Sequence, residues 1–406
     1  MATPAPTTLS PTVMLVVACG ASVALIGFGV RAGFGLFNAP ISNAYQWNRE
    51  VFALAMAIQN LVWGMAQPVA GAFADRFGPA WVLTGGAVIY GVGTVAMAFA
   101  DTPVMFHLIG GVLVGLGIAC SSFILVVSAF GRLVPASHRS WAAGIGTAAG
   151  SFGQFVFAFL GERLISGFGW VNALLALGAV FVLVPLLARA LAGGEAKPAA
   201  SHDESLGASL REALGHPSYR YLAAGFFVCG LHVAFVGVHL PAHVDDVGLP
   251  SHIGSWALAL IGLANVVGSY LAGVLGGRHS KRWLLSLIYG ARAVVFAAFA
   301  LLPPTAETVL LFAVALGFLW LSTVPPTSGL VATMFGTRHI GTLFGLVFLM
   351  HQIGSFLGIW LGGVIRDATG SYDLMWWIQV AFGVFAALIH LPIVERPVPR
   401  LAAVGA

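Results

Sequence analysis

Gly71-Ala-Phe-Ala-Asp75-Arg76-Phe-Gly78 is a short charged stretch set between two long apolar ones, 50–73 and 79–100. Far downstream, Gly273-Val-Leu-Gly-Gly277-Arg278-His-Ser-Lys281 stands in the same way between 252–276 and 283–302. Gly150-Ser-Phe and Gly354-Ser-Phe recur at a similar offset. The chain therefore reads as two halves of like construction.

Outward from these loops the pattern repeats. Charged residues divide the chain into twelve apolar stretches: 12–39, 50–73, 79–100, 103–131, 140–162, 170–190, 220–243, 252–276, 283–302, 308–334, 340–364 and 374–394. A membrane-spanning helix needs about 20 mostly apolar residues. Lipid offers no partner to exposed backbone N–H and C=O groups, so helices are the default for such runs. Barrel strands would alternate at every second residue, and these stretches do not. Of 406 residues, 59% are apolar and 8% are Asp, Glu, Lys or Arg, against about 25% charged in an ordinary soluble domain. So little charge cannot cover a soluble surface. A soluble enzyme, a disordered chain and a nucleic-acid binder are disfavoured, and the expected class is an all-α membrane protein of twelve transmembrane helices in two pseudo-symmetric six-helix bundles.

Placement of Lys and Arg sets orientation. With the N-terminus in the cytoplasm, thirteen fall in inner loops and the C-terminal tail: Arg76, Arg132, Arg139, Arg189, Lys197, Arg211, Arg220, Arg278, Lys281, Arg282, Arg338, Arg396 and Arg400. Only Arg49, Arg163 and Arg366 fall outside. Both termini are expected in the cytoplasm. The hydrophilic segment 191–218 reads as a cytoplasmic linker between an N-terminal bundle, 1–190, and a C-terminal bundle, 219–406, with a short amphipathic surface helix at Leu206–Leu214. Met1–Pro11 lacks the basic start of a cleavable signal. Cys19, Cys120 and Cys229 lie in apolar stretches without metal-ligand spacing.

Gly71-x-x-x-Asp75-Arg76-x-Gly78 resembles the signature loop of the major facilitator superfamily, and the topology fits over nearly the whole chain. The resemblance implies that Asp75 and Arg76, framed by Gly71 and Gly78, help latch the cytoplasmic ends of the two halves. Gly277 replaces the acid in the second copy, so that half is expected to lack a full latch of its own. Within the superfamily the chain is most similar to the monocarboxylate and oxalate–formate porters. Val30-Arg31-Ala-Gly-Phe-Gly-Leu-Phe37 and Trp47-Asn-Arg-Glu50 carry that likeness. It departs at the eighth helix, where Asn265 and Ser269 stand in the stretch that commonly holds an Arg in that group. The family also implies a monomer.

Arg31 is the leading candidate for the substrate. A charge at membrane depth costs roughly 2.5–3.5 kcal/mol on insertion scales, so it faces a cavity or a partner. Its fork matches a carboxylate with two parallel hydrogen bonds. Gln59, Asn60, Ser121, Gln154, Asn265 and Gln352 fall on helices expected to line a central cavity, as do Ser122, Thr327 and Ser328. His232 and His351 are candidates for both substrate contact and proton carriage, because histidine titrates near neutrality and no helix holds a mid-membrane Asp or Glu. His239 lies two turns beyond His232. Arg292 and Tyr289 are structural or secondary candidates in the ninth helix. No metal site or cofactor is expected. The function expected is secondary active transport of a small organic anion, a mono- or dicarboxylate, across the inner membrane by alternating access with proton symport. The alternative is an efflux pump for amphipathic or drug-like compounds.

Overall fold

The computed structural model describes residues 10–135, 138–193, 206–336 and 339–398. Most of the linker, both chain ends, and the basic residues Lys197, Arg338 and Arg400 lie outside the described residues. Among the described residues the structure is helical throughout.

The first bundle comprises α1 (Pro11–Tyr45), α2 (Arg49–Phe77), α3 (Pro79–Met97), α4 (Pro103–Leu133), α5 (139–168) and α6 (170–191). Gly169 separates the last two. Its φ of 80° and ψ of 160° lie where only glycine sits without strain. The second bundle comprises α7 (Pro217–Asp246), α8 (Ser251–Arg278), α9 (Lys281–Leu301), α10 (Ala306–Phe335), α11 (Ile340–Thr369) and α12 (Asp373–His390). The surface helix occupies Leu206–Gly215. α2 is less apolar than the other passes, because Gln59, Asn60 and Gln67 run along it, all buried inside the protein. The lipid-facing exterior is carried by exposed apolar side chains such as Trp81, Val182, Tyr270, Leu287 and Leu311.

Three passes are less regular than the sequence pattern implies. α1 tightens into a 3-10 turn at Phe34–Phe37 just after Arg31 and Gly33. α4 is interrupted at Ser121–Ser122, where Ser122 is extended (φ −68°, ψ 154°). α10 is interrupted between Leu319 and Val324, immediately before Pro325-Pro326. Neither interruption shows in hydropathy, since a few residues of Ser, Thr, Leu and Trp barely change the average over a whole pass.

Glycine governs how closely the halves approach, and where they part. The halves meet along α2–α11 and α5–α8. A Cβ placed on Gly363 would lie 2.7 Å from the Cβ of Ala53, and one on Gly64 would lie 2.7 Å from the Gln352 side chain. Gly71, two turns further along α2, would meet nothing within 4 Å, and neither would Gly345 on α11. On the other seam, a Cβ on Gly262 would lie 2.8 Å from the Ser151 carbonyl, whereas Gly144 and Gly277 face open space. The two bundles are thus pressed together at one end and splayed at the end where α1 begins.

Candidate functional site

A cavity of about 300 Å³ lies between the bundles, walled largely by apolar and aromatic side chains. Arg31 projects into it from α1. Its Nη2 donates to Asn60 Oδ1 at 2.8 Å, and the guanidinium lies 4.6 Å from the centroid of the Trp63 ring. Trp63 is fixed in turn by its indole N–H donating to Gln67 Oε1 at 2.9 Å, one turn along α2. Arg31 Nε is buried without a hydrogen-bond partner. Among the described residues no ion pair includes Arg31. A cation, a π face and an idle N–H donor in a cavity of low polarity make a receptor for an oxyanion.

Gln59, Asn60, Ser121, Gln154 and His351 also line the cavity. Much of their hydrogen-bonding capacity is spent on helix contacts. Gln59 Nε2 donates to Gly110 O at 2.9 Å, and Ser121 Oγ donates to Gly117 O at 2.7 Å. Gln154 Nε2 crosses from α5 to Leu258 O of α8 at 3.1 Å, joining the two halves. Gln352 Nε2 donates to Asn60 O at 2.9 Å, a second join between halves, which turns its Oε1 toward His351 Nδ1 at 3.0 Å. That network assigns the proton of a neutral His351 to Nδ1.

Three of the expected substrate residues do not line the cavity. His232 faces α12 and α9, with Nε2 3.0 Å from Gln379 O and its ring against Phe296. Gln352 is fully buried in the α2–α11 seam. Asn265 is fully buried at a three-helix junction, donating to Ser151 Oγ at 2.9 Å and accepting from Leu321 N at 2.9 Å. Each sits on a helix that borders the cavity but on a face turned away from it, a distinction that helix membership alone does not draw. His239 is likewise occupied, between Tyr372 Oη and Ile359 O. Arg292 is fully buried and donates to the carbonyls of Leu319 and Trp320, at the end of the first half of α10. A guanidinium thereby satisfies a helix end that has no water to bond. Tyr289 stacks on His390 at 5.0 Å between ring centroids.

Among the described residues the signature loop does not join the halves in this structure. Asp75 pairs with Arg132 of α4 at 2.8 Å, within the same bundle, and Arg76 lies over Phe77. Gly78 adopts φ 88° to turn the chain into α3. The reason is the splay itself: this end is open. In the second copy the missing acid is replaced from elsewhere. The Glu395 carboxylate accepts from Ser280 Oγ and from Lys281 N and Arg282 N at 3.2 and 2.8 Å, capping α9. Burial pushes the Glu395 carboxyl up, but those hydrogen bonds and the Lys281 charge together outweigh it and hold it below the usual carboxylate range.

At the opposite end the halves are tied by charge. Asp367 of α11 accepts from the backbone N–H groups of Arg49 and Glu50 at 3.1 and 2.7 Å, capping α2 from the other half. Asp246 of α7 sits between Arg49 at 3.4 Å and Arg366 at 2.8 Å. Trp360 Nε1 donates to Glu50 Oε1 at 3.1 Å. The sequence did show opposite charges at three helix ends; it carried no signal that these ends converge. Trp63 was missed for a similar reason, since a tryptophan in an apolar helix reads as lipid-facing.

The sequence profile of the Major Facilitator Superfamily matches residues 18–254 and again 222–405. Monocarboxylate transporter 13 of Rattus norvegicus is 27% identical over 380 residues, covering 89% of this chain and 86% of that protein. An uncharacterized MFS-type transporter, YcxA of Bacillus subtilis (strain 168), is 26% identical over 384 residues, 89% of this chain and 90% of that one. Among solved structures, a bacterial homolog to the human lysosomal transporter Spinster, in an inward-facing and unoccupied conformation, superposes with a TM-score of 0.74 at 15% identity, covering 94% of this chain and 97% of that chain. That last likeness is one of fold.

Proposed function

From the premise that the chain belongs to the Major Facilitator Superfamily, a family of membrane transporters, we propose that it carries a small organic anion, a carboxylate, across the inner membrane by alternating access. Arg31 is the anchor. The observation that carries this reading is a buried guanidinium in the central cavity with, among the described residues, no carboxylate beside it and an N–H left unbonded. An incoming carboxylate supplies the missing counter-charge and takes the fork. Asn60 and Trp63 hold the guanidinium in place while the site is empty. The relatives named monocarboxylate transporters support the substrate class.

The two bundles, 1–190 and 219–406 about the linker 191–218, rock as bodies around this site. The splayed end is the cytoplasmic one by the excess of Lys and Arg there, so both termini are cytoplasmic and this conformation opens inward. Protons accompany the anion. His351, a histidine at the cavity wall, is the carrier of that proton, whereas His232 is enclosed by α9 and α12. The transporter works as a monomer. A second reading, efflux of amphipathic compounds, draws on the aromatic walls, Phe28, Trp63, Phe226 and Phe348 among them. A volume of about 300 Å³ is at the lower limit for drug-sized ligands, and a lone cation favours a small anion.

The test is uptake of labelled carboxylates by proteoliposomes, with and without an inward proton gradient, beside Arg31→Ala and His351→Gln. Gradient-stimulated uptake that Arg31→Ala abolishes is the expected result. Uptake indifferent to Arg31→Ala would remove the anchor, and stimulation that survives His351→Gln would remove the proton carrier. An absence of carboxylate uptake by folded protein would put the efflux reading first.

A further inference from the structure

The interruption of α4 leaves hydrogen-bond donors unmet at the wall of the same cavity. At Ser121–Ser122 the helix stops and restarts as an eleven-residue helix, Phe123–Leu133. Ser121 attends to the first half by donating to Gly117 O. Among the described residues nothing attends to the second half. Ser122 stands at the N-cap position but makes no capping bond. Its hydroxyl is buried without a partner in a residue only 6% exposed. The first two amides of the new helix, Phe123 and Ile124, have no hydrogen-bond acceptor among the described residues. Ser121, Ser122, Phe123 and Ile124 all line the cavity.

A helix N-terminus presents N–H donors and the positive end of its dipole. Here it opens into a space of low polarity, where an unmet donor is costly. An N-cap serine that fails to cap its own helix has a free hydroxyl to give. All three groups can act as donors, so they select a group that accepts: an oxygen, best a charged one. The break lies close to the anchor. A Cβ on Gly27 would sit 3.4 Å from the Ser121 carbonyl, and Gly27 is one helical turn before Arg31.

Resting on the carboxylate reading of Arg31, we infer that the substrate is a short dicarboxylate, one carboxylate on Arg31 and the other on Ser122 with the Phe123 and Ile124 amides. Gly27, beside the α4 break, and Arg31 are one helical turn apart on α1, about 6 Å of rise, which brings both elements within the span of one small ligand. The half-helix makes the site selective as well as anionic. A monocarboxylate satisfies Arg31 alone and leaves the α4 donors unmet.

Purified protein titrated calorimetrically with succinate and with propionate tests this. Ser122→Ala is expected to lower the succinate-to-propionate affinity ratio roughly 10- to 150-fold, the worth of one hydrogen bond to a charged group. Phe123→Pro deletes one amide donor at a position where proline fits, after an extended residue. Measured against Phe123→Ala, which removes the same side-chain contacts, it is expected to lower the ratio similarly. An unchanged ratio in both variants, with binding of both acids lost in Arg31→Ala, overturns the second site and leaves the anchor standing. Binding of both acids that ignores Arg31→Ala overturns the anchor and this inference together.

Discussion

Asp367→Asn is expected to move the protein toward the conformation in which the charged end opens. One carboxylate on α11 caps the N-terminus of α2 in the other bundle, through Glu50 N at 2.7 Å and Arg49 N at 3.1 Å. Those bonds exist only while that end is closed. Hydrogen bonds to charged groups contribute about 1.5–3 kcal/mol each when well buried. Asp367 is exposed, and solvent screens it. Asparagine keeps one acceptor oxygen. The loss is then one screened bond plus a charge–dipole interaction of about 0.3–1 kcal/mol, together about 1–2 kcal/mol. That corresponds to roughly a 5- to 30-fold change in the ratio of the two conformations. The Arg49–Asp246–Arg366 ion pairs remain, so the end loosens without losing its structure. Hydrogen exchange read by mass spectrometry distinguishes the outcomes. A shift of population speeds exchange at the start of α2 and the end of α11, and slows it at 71–78 and 340–346 as the splayed end closes. Faster exchange at the charged end alone would mean local fraying, and the claim that Asp367 holds one conformation against the other would be refuted.

Two further predictions concern residues outside the cavity. Arg292→Ala strips the Leu319 and Trp320 carbonyls of their donor. It should destabilise the protein by about 2–4 kcal/mol, read as a lower unfolding temperature in detergent, with ligand affinity of the surviving protein retained. Glu395→Gln should lower the unfolding temperature at pH 7, because the native carboxyl is held below its ordinary value. Stabilisation from a depressed carboxyl is present above its unfolded pKa and fades as pH falls through the folded one. The gap between wild type and variant should therefore narrow below about pH 4, and a gap that widens with acid would show the sign to be wrong.

The sequence made the passes legible because membrane depth constrains them so tightly. Hydropathy marks every pass except α2, whose polar face makes it the least apolar; that pass is read from the charged residues that bound it. What hydropathy does not register is backbone. The α4 and α10 interruptions consist of Ser, Thr, Leu and Trp, residues equally at home in a continuous helix, and tertiary packing decides between the two. Side-chain direction is lost for the same reason. His232 and His351 are alike in sequence, both histidines within apolar helices. One is walled in against Gln379 and Phe296, and the other reaches the cavity.

Polar groups inside the bundle sort by whether the protein itself satisfies them. Asn265, Gln352 and His239 have their partners on neighbouring helices and hold the bundle together. Arg292 serves a broken helix end. Arg31 Nε and Ser122 Oγ have no such employment, yet both belong to residues at the cavity wall. A transporter must bind its cargo without trapping it, so donors that the fold leaves unmet are the ones a ligand can meet and later release. By that criterion the site is defined less by which residues are polar than by which polar atoms remain unpaired. In this cavity the criterion selects donors at Arg31 and at the start of the second half of α4.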